Sequence, residues 1–306
     1  VNYRHAFHAG NFADCMKHAL LVWLIEALAR KPAPFGILDT HAGAGQYDLE
    51  SGPATRTREA DSGILRLLAP APSWSGLTRP PPETATAMST GPEVVESSPT
   101  MTESGQPPLQ PYLTVIRRLG LYPGSPAIAA ALLRPNDRLI CCELHEEDAA
   151  TLKKIFAHDS AVAVHRRDGW EALRALLPPK EKRGLVLIDP PYEDTEEFTH
   201  LIAGLKLGHA RFRTGVFAAW YPIKRLAQVR QFLTAMRDSG IRDIVTAEFL
   251  LREPLDPARL NGCGLLVINP PFQFEAAAAA ILTALLDAIG TGEHGQAVAV
   301  TRLADE

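Results

Sequence analysis

Seven short apolar runs punctuate this chain, with helical patterns between most of them, and that alternation limits the fold more than any other feature. The runs are FGILDT (35–40), RLICCEL (138–144), VAVHRR (162–167), GLVLID (184–189), GVFAAWY (215–221), DIVTAEF (243–249) and GLLVIN (264–269). Most are nearly continuous in apolar residues, as expected of strands covered on both faces. Helical patterns at 146–157, 170–177, 195–207 and 223–239 lie between successive runs. Such alternation predicts right-handed βαβ units and an α/β fold built on a seven-stranded, mostly parallel sheet. The last two runs are joined only by LLREPLDPARLNGC, which predicts a hairpin-like return and one reversed strand.

The distance between the first two runs is too long for one βα unit. It predicts a core from 1–45 and 131–306 and an inserted small helical subdomain at 46–130. Within the insertion, residues 70–111 carry 10 of the 25 prolines among many Ser, Thr and Gly, a composition expected of a disordered or extended linker. Short helices at 57–69 and 111–119 would flank it.

With 306 residues, 46% of them hydrophobic, the chain can bury a core without covalent staples. Cys15, Cys141, Cys142 and Cys263 have neither a disulfide nor a zinc spacing, which predicts a reducing, cytoplasmic setting. The polar, His-rich start does not read as a signal peptide, and ALLVWLIEALA, broken by Glu26, reads as a buried helix rather than a membrane span. His5, His8, His18 and His41 with Asp14 match no zinc spacing, so no metal is expected. A net charge of −4 does not advertise a nucleic-acid binder. Phosphate contact depends on local patches, however, and basic pairs occur at Arg166–Arg167, Lys180–Arg183, Arg211–Arg213 and Lys224–Arg225.

Two constellations carry chemistry. The first strand ends in Asp39-Thr40-His41-Ala42-Gly43-Ala44-Gly45, a glycine-rich turn that lets a ligand approach the backbone. It lacks GxGxxG and a P-loop lysine, which argues against NAD and ATP. Glu143 ends the second strand, where an acid can bind ribose hydroxyls. Asp168-Gly169 ends the third, where an acid can meet an adenine edge, and Asp189 ends the fourth. Ligands of open α/β sheets bind outside the carboxyl ends of the strands, so these acids converge on one crevice.

The second constellation is Asp189-Pro190-Pro191-Tyr192. The exocyclic amine of a base is a poor nucleophile, because its lone pair is delocalised into the ring. A carboxylate on Asp189 and a carbonyl on Pro190, made rigid by consecutive prolines, can accept both N–H groups and hold the nitrogen nearer tetrahedral geometry. Tyr192 can stack on a flipped-out base. A related run, Asn269-Pro270-Pro271-Phe272, lies far from the acidic series and reads as a turn closing the last strand.

YRHAFHAGNFADCMKH (3–18), LDTHAGAGQY (38–47), YPGSP (122–126), GLVLIDPPYE (184–193), WYP (220–222) and INPPF (268–272) together resemble the RlmJ family, bacterial methyltransferases acting on an adenine N6 of 23S ribosomal RNA. The resemblance implies a Rossmann-like class I S-adenosylmethionine-dependent methyltransferase. It implies that His18, His41, Ser125, Glu143, Asp168, Gly169 and Asp189 contact S-adenosylmethionine and that Asp189 is catalytic. It further implies substrate contacts by Tyr3, Pro190 and Tyr192, an active site shaped by Lys17 and His5, and an insertion that helps grip RNA. The partner would be 23S ribosomal RNA, protein-free or early in assembly, and the enzyme a monomer. The rival readings are a ribosomal RNA guanine-N2 or a DNA adenine-N6 methyltransferase, a non-catalytic RNA-binding module, and, weakest, a nicotinamide dehydrogenase.

Overall fold

A computed structural model describes residues 5–69, 106–194 and 196–305. Tyr3 and residues 70–105 of the expected linker lie outside the described residues.

After a 3-10 turn at His5–Phe7, the chain forms α1 (Phe12–Ala29) and β1 (Gly36–Asp39). The inserted stretch follows, with β2 (Gln46–Tyr47), α2 (Gly52–Thr57), a 3-10 turn at Glu59–Ser62, α3 (Ile64–Leu68), α4 (Gln110–Leu119), β3 (Tyr122–Pro123) and α5 (Ser125–Leu132). Regular alternation then resumes with β4 (Arg138–Glu143), α6 (Glu146–Ile155), β5 (Val162–Arg166), α7 (Gly169–Leu176), β6 (Gly184–Ile188), α8 (Glu197–Arg211), β7 (Val216–Ile223) and α9 (Leu226–Arg237). The chain closes with β8 (Ile244–Leu250), β9 (Gly262–Ile268), α10 (Phe274–Ile289) and β10 (Ala297–Ala304).

The sheet order is β10-β8-β9-β7-β6-β1-β4-β5. Strand β1 pairs in parallel with β4 on one side and β6 on the other, so the strand order reverses direction beside it. That reversal is the switch point where such sheets open a crevice for ligands. Strand β9 runs antiparallel to both β7 and β8, as the helix-free connection predicted.

The expectation of seven strands and one reversed strand needs correction. The sheet has eight strands, because β10 adds antiparallel to β8 and becomes a second reversed strand. Its AVAVTRLA alternates between exposed and half-buried positions, so it carries none of the continuous apolarity that marks the inner strands. The hidden strands β6 and β9 are buried at every position.

Two apolar layers sandwich the sheet. One holds α1, α4, α5 and α10, the other α7, α8 and α9. Helix α1 has 15 of its 18 residues buried, Asp14, Lys17 and His18 among them, as a helix enclosed by protein must be. Only Glu26 among its residues is exposed. No helix among the described residues is long and apolar enough to cross a membrane. The insertion leaves and re-enters the core through a two-residue antiparallel pair, Gln46–Tyr47 against Tyr122–Pro123, which brings its two ends together beside β1.

Candidate active site

A cavity of about 690 Å³ opens at the carboxyl ends of the central strands. It falls within the size range of small-molecule and cofactor pockets. His18, His41, Ser125, Glu143, Asp168, Gly169 and Asp189 all line it, and so do His5, Lys17, Pro190 and Tyr192. Every described site residue expected from sequence therefore meets in one place.

The loop after β1 shapes one wall. Gly43 and Gly45 have φ of 63° and 83°, a backbone region that side chains rarely adopt. A Cβ on Gly43 would overlap the Tyr47 hydroxyl, and one on Gly45 would lie 2.5 Å from Leu152. The Gly43 N–H donates to Glu143 Oε2 at 2.8 Å, and the His145 N–H donates to Glu143 Oε1 at 2.6 Å. Two backbone donors thus hold the carboxylate at the end of β4, and each oxygen keeps a lone pair for another donor. At the end of β5, Asp168 caps α7: its Oδ1 accepts from the Trp170 and Glu171 N–H groups. Its Oδ2 takes no part in the cap. Gly169 is packed so closely that a Cβ would overlap the Thr40 carbonyl and lie 2.7 Å from the His41 ring.

Beneath this wall sits Asp39, 1% exposed, whose Oδ2 accepts from Ser125 Oγ at 2.7 Å. Its Oδ1 is buried without a hydrogen-bond partner. Burial, reinforced by the nearby Asp189 charge, pushes the Asp39 carboxyl up to about 7. The two cavity histidines move the other way. Burial drives His18 down to about 3 and His41 down to about 4, so both imidazoles are neutral at physiological pH. His18 Nδ1 lies 3.0 Å from the Tyr122 hydroxyl and His41 Nδ1 lies 2.8 Å from Thr40 Oγ1, which leaves one ring nitrogen of each uncommitted.

Asp189 follows β6. Its Oδ2 lies 2.5 Å from Lys17 Nζ, and Lys17 also reaches Asp14 Oδ1 at 3.0 Å. Asp14 Oδ2 meets His5 Nε2 at 2.9 Å and accepts the Gly10 N–H at 2.9 Å. Burial opposes both charges. Asp14 and Asp189 nevertheless hold the Lys17 ammonium well above its ordinary pKa, while His5 and Lys17 hold the Asp14 carboxyl well below its own. The result is a buried Asp14–Lys17–Asp189 ion network delivered by the N-terminal motif. Beyond Pro190 and Pro191, Tyr192 takes a left-handed φ of 52° and its hydroxyl donates to the Trp220 carbonyl at 2.8 Å. Its ring packs against Phe198 and Trp220 with centroids 5.2 and 5.6 Å apart.

The second Pro-Pro run lies elsewhere. Because β9 is reversed, Asn269 sits at the opposite edge of the sheet, where its amide donates to the Arg213 and Gly215 carbonyls at 2.7 and 2.8 Å. Of the basic clusters, Lys224–Arg225 follows β7 at the cavity edge, and Lys224 lines the mouth. Lys180–Arg183 and Arg211–Arg213 precede β6 and β7 and lie at the far edge. Among the described residues, no three His, Cys, Asp or Glu side chains group so as to hold a metal ion.

Sequence reasoning missed the role of Asp14, although its spacing of three from Lys17 on a helix was a usable signal. It also missed His8, Asn11 and Glu59, which line the cavity together. Glu59 is about fifty residues away from the other two in sequence, and no local pattern announces that contact.

Comparison with known proteins gives one consistent answer. The family model described as "Ribosomal RNA large subunit methyltransferase D, RlmJ" matches residues 32–73 and 102–301. Ribosomal RNA large subunit methyltransferase J of Escherichia coli (strain K12) is 37% identical over 281 residues, covering 90% of this chain and 89% of the relative. Its namesake from Haemophilus influenzae is 36% identical over 302 residues, covering 95% and 96%. A crystal structure of a Legionella pneumophila protein superposes with a TM-score of 0.77 at 33% identity, covering 96% of this chain and 98% of that one.

Proposed function

The chain belongs to the RlmJ family of ribosomal RNA large subunit methyltransferases, and from that premise we propose that it methylates the N6 amine of one adenine in 23S ribosomal RNA. The observation that carries this reading is the Asp189-Pro190-Pro191-Tyr192 turn at the end of β6, with Asp189 paired to Lys17 inside the cavity.

The methyl donor is S-adenosylmethionine, which supplies an activated methyl group on a positively charged sulfur. The donor set fits it. Glu143 offers free lone pairs to ribose hydroxyls. Asp168 Oδ2 is an acceptor for an adenine amine beside Gly169. His18, His41 and Ser125 offer neutral polar contacts to the remainder, and the unpartnered buried oxygen of Asp39 lies behind Ser125. A wall with this many acceptors suits a cationic ligand better than a phosphate-rich one.

The rest of the chemistry belongs to the chain's own side chains. Lys17 occupies Asp189 Oδ2, so Oδ1 is the oxygen left for one amine N–H. The Pro190 carbonyl accepts the other, its direction limited by two locked φ angles. Tyr192, held by Trp220, presents its ring to the base. Positioning and preorganised charge then replace a strong base. After transfer the amine proton passes to Asp189 Oδ1. From there the proton moves on to solvent and the site resets. Residues 46–130 would grip the RNA, Tyr3 and His5 would shape the substrate side, and the preferred substrate would be RNA that is protein-free or early in assembly, met by a monomeric enzyme.

The test is nucleoside mass spectrometry of 23S RNA from cells with and without the gene. N6-methyladenosine should fall on deletion and return with the wild-type protein but not with Asp189→Ala. A missing N2-methylguanosine instead would move the target to guanine, and restoration by Asp189→Ala would overturn the mechanism.

A further inference from the structure

The first arm of the inserted segment reaches the cap of α1 through a carboxylate. Glu59 lies between α2 and α3, and both of its oxygens are engaged. Oε1 pairs with His8 Nδ1 at 2.8 Å, and Oε2 accepts from Asn11 Nδ2 at 2.9 Å. Asn11 is the N-cap of α1, its Oδ1 accepting the Asp14 N–H at 3.0 Å. Asp14 holds Lys17, and Lys17 holds Asp189. An unbroken series of polar contacts therefore runs from the insertion, through the first turn of α1, to the end of β6.

Docking of the arm does not need this carboxylate. The Ile64 N–H donates to the Gly10 carbonyl at 2.8 Å, and Thr57 Oγ1 donates to the Phe7 carbonyl. Gly63 lies so close to Gly10 and Asn11 that any Cβ there would overlap them. Backbone contacts and shape already place the arm. What Glu59 adds is the orientation of two side chains, one on the cavity wall and one at the cap of the helix that carries Lys17.

We propose that Glu59 is a positioning residue for methyl transfer: its carboxylate fixes His8 and Asn11 and, through the cap of α1, sets Lys17 against Asp189. The inference rests on the reading of Asp189 as the amine acceptor. It makes the catalytic ion network answer to the seating of the insertion, although Glu59 acts only through other residues. A small misplacement of catalytic groups costs up to about a hundredfold in rate.

The experiment compares wild type with Glu59→Ala, Glu59→Gln and Asp61→Ala. Asp61 is an acid of the same turn whose partner is Arg58. The readouts are kcat and KM on unmodified 23S RNA, the Kd for S-adenosylhomocysteine, and the His8 pKa by NMR. His8 is faced by Glu59, Asp14 and Lys224, and its pKa is raised chiefly by the hydrogen bond to Glu59. In Glu59→Ala, kcat should fall on the order of ten- to a hundredfold while the Kd stays unchanged. Glu59→Gln, which keeps the shape, should fall less, and Asp61→Ala should match wild type. The His8 pKa should drop in both Glu59 variants. An unchanged kcat with only a lower melting temperature would overturn the proposal, and so would a raised RNA KM at unchanged kcat. A wild-type protein inactive on 23S RNA would defeat the functional reading alone. The coupling would then be read from the Lys17 ammonium resonance, and a signal unmoved by Glu59→Ala would refute it.

Discussion

Replacing Asp39 by asparagine should make the protein more stable at high pH relative to wild type, by an amount the structure allows to be worked out. Asp39 is 1% exposed, has one oxygen without a partner, and titrates near 7 against an ordinary 3.8. A carboxyl whose native pKa is raised binds more protons folded than unfolded across that interval. Its contribution is therefore fully present below pH 3.8 and is lost as the pH climbs through 7. The shift is a little over three units, and each unit is worth about 1.4 kcal/mol, so wild type should lose about 4 kcal/mol between pH 4 and pH 8 from this group alone. Asparagine cannot ionise and still offers Ser125 an acceptor oxygen. Urea unfolding of both proteins at half-unit steps across this range gives a stability difference in which all other titrating groups cancel. That difference should move toward the variant with a slope of up to about 1.4 kcal/mol per pH unit and flatten above pH 7. A difference independent of pH would mean that Asp39 is not held protonated by its burial, and the account of the buried carboxyl behind Ser125 would fail. Because the Asp189 charge adds to the shift, the slope region should also end at lower pH in an Asp189→Asn background.

Lys17→Met should leave Asp189 without its ion partner and Asp14, 3% exposed, with only His5 and the Gly10 N–H. Chemical denaturation should report a loss of about 3–5 kcal/mol, and methyl transfer should fall with it. Gly169→Ala would push a methyl into the Thr40 carbonyl and the His41 ring, so S-adenosylhomocysteine binding measured by calorimetry should weaken at least tenfold, with a stability cost of about 1–3 kcal/mol. Tyr122→Phe removes the hydroxyl partner of buried His18 Nδ1, and should weaken the same binding by about tenfold without changing the RNA KM.

What the sequence discloses follows from how local the physics is. Strands β6 to β9 announce themselves because burial on both faces demands continuous apolar runs, whereas the edge strand β5 is largely exposed, and the acids that follow β4, β5 and β6 fall one βα unit apart. Helix α10 was equally readable. Phe274, Ala278, Ile281, Leu282, Leu285 and Ile289 keep a helical spacing and all are buried. Strand β10 was harder, since an edge strand needs only a half-buried face and its alanines have little strand propensity. Among the site residues, the backbone donors that seize Glu143 and cap α7 at Asp168 follow from strand-to-turn geometry, so position in the unit was enough to find them.

The contacts that join the insertion to the site are of another kind, because they depend on where a long excursion returns. The excursion is closed at its base by Gln46–Tyr47 against Tyr122–Pro123, and each of its arms touches a different wall of the cavity. The first arm reaches the cavity through Glu59, His8 and Asn11. The second places the Tyr112 hydroxyl 3.5 Å from the Tyr122 hydroxyl, which in turn meets His18 at the cavity wall. An insertion serving only as an RNA grip would need surface contacts with the core and nothing more. This one sends a carboxylate and a phenol into polar networks that end at Asp189 and at His18, both of which line the cavity. The Tyr112–Tyr122–His18 contacts are buried and the Glu59 contacts half-buried, so both arms tie the seating of the insertion to side chains that line the cavity.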